Sequence, residues 1–138
     1  MSIPYQTLFI ALAKNKINYL VAGGFAVNFH QVNRSTIDLD LILHLEKENV
    51  LAFDRIMSQL GYKPRLPVSG KDFANEETRK KWMKEKNMLV FSYIHSQNML
   101  EVIDIFAEEP KPFSELDRNK TLVWEPLELK FRSWEFRI

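Results

Sequence analysis

At 138 residues the chain has the length of a single domain. Its 46% hydrophobic and 27% charged content is that of an ordinary globular protein with enough apolar residues for a real core. A net charge of +1 provides no global attraction to nucleic acid or to a membrane surface, and the lack of cysteine excludes disulfides, thiolate chemistry and zinc–thiolate sites.

Tyr5, Leu8, Phe9, Leu12 and Ala13 recur at helical spacing, Pro4 suits a first helical turn, and Lys14-Asn-Lys16 closes the helix. The apolar run from Leu8 to Ala13 is too short for a signal sequence, and no segment approaches the ~20 apolar residues of a membrane span. A cytoplasmic protein with no membrane partner is therefore expected. Ile17 to Ala22 reads as a buried strand running into Gly23-Gly24. The chain has four glycines, and placing two of them side by side points to a backbone requirement: a positive φ or the close approach of a ligand. Phe25 to His30 reads as a short helix, and a helix start after glycines suits a phosphate.

Ile37 to Leu43 reads as a second strand, interrupted by Asp38 and Asp40. Glu46 to Leu60 reads as a helix with Val50, Phe53, Ile56 or Met57, and Leu60 inward, ended by Gly61. Pro64 and Pro67 mark a loop. Asn75 to Lys86 reads as a polar helix with a solvated face, anchored by Phe73 and Trp82. Met88 to His95 and Met99 to Phe106 read as the arms of a hairpin about Ser96-Gln97-Asn98. Beyond Glu108, the residues Pro110, Pro112 and Pro126 argue for extended or irregular structure. The tail aromatics Trp124, Phe131, Trp134 and Phe136 call for burial in the domain or in a second subunit, which leaves a partner protein or a homo-oligomer open.

The aspartates carry the chemistry. Strand alternation predicts Asp38 and Asp40 on one face, where two carboxylates repel and an unpaired buried charge costs several kcal/mol. A divalent cation between them removes that cost, and hard cations such as Mg2+ take carboxylate oxygens. Asp104, set among Val102, Ile103, Ile105 and Phe106, is a third acid in an apolar strand, while Glu101 is expected to face the other way. Arg34 either neutralises a phosphate or pairs with Asp38. The three histidines, His30, His44 and His95, are too spread for a zinc cluster, and no Walker A or GxGxxG pattern is present.

Gly23-Gly24, a spacer of thirteen residues, and Asp38-Leu39-Asp40 within an apolar strand resemble the signature of the nucleotidyltransferase superfamily with the polymerase-beta-like fold. Gly-Gly-Phe-Ala-Val followed by Arg34-Ser-Thr-Ile-Asp38-Leu-Asp40-Leu is most similar to its minimal bacterial, abortive-infection toxin-like branch. Gln31 departs from the pattern, standing where the family has a glycine near the end of the short helix. The resemblance implies an α/β (α+β) fold, a small mixed β-sheet flanked by helices, with residues 1–108 as the nucleotidyltransferase core and 109–138 as a C-terminal extension. It implies Mg2+ or Mn2+ bound by Asp38, Asp40 and Asp104, with Asp104 as the third acid from a neighbouring strand. Gly23, Gly24 and Arg34 are then the nucleotide-binding residues, with ATP as the expected NTP. The implied reaction moves a nucleoside monophosphate to an acceptor and releases pyrophosphate. The acceptor is left open between RNA, protein and small molecule. A second reading keeps the fold as a binding module, such as a toxin–antitoxin component, with little or no turnover.

Overall fold

The computed structural model describes residues 5–22, 37–118, 121–124 and 130–133, with residues 37–38, 121–124 and 130–133 described by their backbone alone. Helix α1 (Gln6–Lys14) follows Tyr5, which adopts the left-handed conformation, and it buries Leu8, Phe9 and Leu12. Ala13, expected to face inward, is exposed. Strand β1 (Tyr19–Ala22) is buried at all four positions, and β2 (Ile37–Leu43) has the predicted bounds. Helix α2 (Lys47–Gln59) starts where the Glu46 side chain accepts hydrogen bonds from the amides of Glu48 and Asn49. Its apolar stripe of Val50, Phe53, Ile56 and Met57 faces the core, and the chain leaves it through Gly61 at φ 90°, a conformation that favours glycine.

Strand β3 (Tyr62–Pro64) replaces the expected loop. It is an edge strand, where a proline's missing N–H costs nothing if it faces away from the ladder. Two short-range caps then set the next helices. Ser69 accepts from the Asp72 amide at the start of α3 (Gly70–Phe73), and Asn75 accepts from the Thr78 amide at the start of α4 (Glu76–Lys86). Gly70 is buried against the Asp54 carboxylate, in space that a Cβ would need. Strands β4 (Val90–His95) and β5 (Glu101–Phe106) form the predicted hairpin.

The tail is more regular than its prolines suggested. It forms helix α5 (Phe113–Arg118), strand β6 (Thr121–Trp124) and strand β7 (Lys130–Ser133). Pro112 stands just before α5 and its carbonyl accepts from the Glu115 and Leu116 amides, so it begins the helix instead of breaking it. Strands β6 and β7 pair antiparallel, and β7 joins β1 in parallel.

The result is a mixed α/β architecture. Five strands in the order β3-β4-β5-β2-β1 are continued by β7-β6, and β2 and β5 run parallel side by side. One sheet face carries the main core, in which Val21, Leu39, Leu41, Leu43, Phe91, Tyr93, Ile103 and Ile105 meet residues of α1, α2, α3 and α4. The other face holds a smaller cluster of Leu20, Ala22 and Ile42 under Phe113 and Leu116 of α5.

Three polar groups are locked within this packing. Asn49 accepts from the Asn18 amide and donates to the carbonyls of Asn18 and His44, which ties α2 to both strands at one end of the β1–β2 pair. Arg79, expected on a solvated face, is 6% exposed. Its guanidinium donates to the Phe73 carbonyl at 2.7 Å and to the Leu45 carbonyl at 3.3 Å. Burial lowers its pKa, opposed by Glu76 and Glu109. Tyr93, edge-on to Phe53 and Phe91, donates its hydroxyl to Asp54 at 2.8 Å. Burial, and then the neighbouring Asp54 charge, push the Tyr93 phenol well above its ordinary value of 10.0.

Arg79→Ala orphans the two carbonyls and is expected to lower stability by about 1–3 kcal/mol in urea unfolding. Arg79→Lys is expected to recover only part of this, because an ammonium lacks the planar fork that spans both acceptors. The phenol gives a second expectation. Below pH ~10 Tyr93 is protonated in both states; above it the unfolded chain ionises and the folded chain does not, so stability falls as pH rises further. Tyr93→Phe is expected to be less stable at pH 7 and to show a flatter decline between about pH 10 and 11, measured by thermal melts across that range.

Candidate functional site

The register between β2 and β5 decides what the second sheet face presents. Asp40 lies directly beside Asp104, and Leu39 and Leu41 lie beside Ile103 and Ile105. Neighbouring strands are about 4.8 Å apart, so the two half-buried carboxylates share one small region of surface. The same row continues outward in both directions. Across the hairpin Asp104 faces Ser92, and on the other side Asp40 faces Ala22 of β1. Ser92 donates its hydroxyl hydrogen to Asp104 Oδ1. The residues at the two ends of the row, serine and alanine, are small.

Helix α5 bounds this row. Its Phe113 and Leu116 cover Leu20, Ala22 and Ile42, with Phe106 packed alongside. The helix is held there by Glu109. One carboxylate oxygen accepts from the Leu45 amide at 2.7 Å and meets His44 Nδ1 at 3.2 Å, while the other accepts from the Phe113 amide at 3.0 Å. The His44 ring also packs on Phe113, with centroids 5.1 Å apart. Glu109 thus joins the exit of β2 to the start of α5.

Of the residues singled out in the sequence, Asp40 and Asp104 are brought together. Asp38 occupies β2 opposite Val102, and its side chain lies outside the described residues. Gly23, Gly24 and Arg34 also lie outside them, as do His30 and Gln31. Glu101 faces the main-core side, as alternation required, and accepts from the Tyr62 hydroxyl at 2.9 Å. His95 is committed to backbone partners, with Nε2 at the Leu60 carbonyl and Nδ1 at the amides of Gln97 and Asn98. Among the described residues, no three His, Asp or Glu side chains are grouped to hold a metal. The described donor set is the Asp40–Asp104 pair, whose hard oxygens suit Mg2+ or Mn2+.

Two clefts lie elsewhere. One of about 380 Å³ is lined by Tyr5, Thr7, Tyr62, His95 and Glu101, and another of about 330 Å³ by Leu45, Arg79, Met83 and Glu109. Neither includes Asp40 or Asp104 among its lining residues.

Ser92 and Glu109 were not singled out from the sequence. Ser92 carried a usable signal: it is a small polar residue set between Phe91 and Tyr93 in a strand, and counting back through the Ser96-Gln97-Asn98 turn sets it near Asp104. Glu109 carried none for its contacts to His44 and the Leu45 amide, which only the fold brings close. No family model matches this chain, and no curated protein matches it.

Asp104→Asn keeps an acceptor for Ser92 and removes one of two like charges. It is expected to raise the melting temperature in chelator by a few degrees, since adjacent like charges cost about 0.2–1 kcal/mol. The gain is expected to vanish in millimolar Mg2+. A lower melting temperature in chelator instead identifies Asp104 as a structural partner.

Proposed function

We propose that this chain is a Mg2+-dependent nucleotidyltransferase of the polymerase-beta-like type, moving a nucleoside monophosphate from an NTP, with ATP first, to an acceptor hydroxyl. The observation that carries the reading is the side-by-side placement of Asp40 and Asp104 on adjacent parallel strands, opposite the main core. It is supported by the Gly23-Gly24 and Asp38-Leu39-Asp40 spacing in the sequence.

Asp38, Asp40 and Asp104 would hold one or two Mg2+ ions, which when bound supply neutralisation of the triphosphate charge. The backbone amides that follow Gly23-Gly24 would donate to the phosphate oxygens. Arg34 would add a cationic donor to the outer phosphates. The acceptor oxygen attacks the α-phosphorus in line, the bond to the bridging oxygen breaks, and pyrophosphate leaves. Asp104 would receive the acceptor's proton. Positioning and charge compensation provide most of the rate in such a reaction.

The reading is tested by incubating the full chain with each α-labelled NTP, Mg2+ or Mn2+, and a cell extract as the source of acceptor. Label is expected to move onto an RNA, protein or small-molecule fraction and to be lost in the Asp38→Ala/Asp40→Ala variant. Nucleotide binding without transfer would favour the binding-module reading, and neither binding nor transfer would sink the active-site reading.

A further inference from the structure

We infer that Ser92 is a positioning residue for the cation site, holding Asp104 by one oxygen so that its other oxygen serves the metal. The inference rests on the metal-binding reading above and adds to it a residue that the sequence signature does not contain.

Asp104 stands in the middle of three strands. Ser92 on β4 lies on one side of it and Asp40 on β2 lies on the other. Left to itself, an aspartate carboxylate turns easily, because its terminal torsion is broad and nearly two-fold. The Ser92 hydroxyl removes that freedom by donating to Oδ1, and a hydroxyl-to-carboxylate hydrogen bond is among the stronger neutral-to-charged contacts. Because Ser92 lies across β5 from Asp40, the bond anchors Oδ1 on the side of the strand remote from the second acid. Oδ2 is left to face a shared cation. Both residues sit on paired strands within the hairpin, so their spacing is fixed by the backbone ladder and not by a loop. Partners of this kind, outside the ligands themselves, set ligand orientation and commonly govern metal affinity.

The test uses the full chain and Mn2+ alone, with free Mn2+ followed by electron paramagnetic resonance and folding followed by thermal melts in chelator. Ser92→Ala is expected to weaken Mn2+ binding about tenfold, in line with the loss of an orienting partner. Its melting temperature in chelator is expected to change by no more than a few degrees. Ser92→Thr keeps the hydroxyl and is expected to restore the affinity. Should the alanine variant fold poorly, Ser92→Cys, similar in size and a weak donor, gives the same comparison. Wild-type affinity in Ser92→Ala or Ser92→Cys, alongside its loss in Asp40→Asn, overturns the role of Ser92 and leaves the metal site standing. Mn2+ affinity that does not change in Asp40→Asn overturns the site and the positioning role together.

Discussion

The parallel pairing of β2 with β5 is the contact on which the molecule's organisation turns. On one face the pairing aligns Leu39 and Leu41 with Ile103 and Ile105, and on the other it aligns Asp40 with Asp104. Leu39, Leu41, Ile103 and Ile105 are fully buried in the main core. Burial of side chains of this size stabilises by about 1.5–3 kcal/mol each. A slip of one residue in either strand would turn its aliphatics outward and push its aspartate into the core. The hydrophobic effect, with no direct interest in the carboxylates, is therefore what sets Asp40 against Asp104. The placement of the two acids follows from the larger stabilisation of the opposite face.

The remaining elements protect that arrangement. Helices α1 to α4 close the main-core face, and the buried polar groups serve as cross-links between them. Asn49 joins α2 to the β1–β2 pair, Arg79 joins α4 to the segment after β2, and Asp54 holds Tyr93 of β4. On the other face α5 covers only the cluster around Ile42, and Glu109 fastens it through two backbone amides and the His44 ring. The acids are half-buried beside this apolar cluster, with Asp40 paired to Ala22.

The sequence was most legible where local pattern and tertiary demand agree. Strand β2, helix α2 and the β4–β5 hairpin follow from period, capping and turn chemistry alone, and Gly61 marks the end of α2 because its backbone angle suits few other residues. The misreadings have distinct causes. Pro64 stands in a strand, not a loop, because a proline excluded from central strands is accepted at an edge. Pro112 begins a helix instead of breaking one, because a proline at the start of a helix has no amide to lose. Arg79 sits in a run of lysines and glutamates, and nothing in that run distinguishes the one cation that turns inward to two carbonyls. For the candidate site, alternation showed Asp40 and Asp104 each as an acid in an apolar strand. Their adjacency depends on a parallel pairing between distant segments, which no local pattern encodes; it entered the sequence reading only through the family resemblance.

Strand β3 has a consequence for how copies of this protein meet. It ends one side of the sheet, is three residues long, and closes on a proline without an amide hydrogen. Such an edge is a poor template for another chain's backbone. Fibrillar growth by strand addition is therefore discouraged on the β3 side.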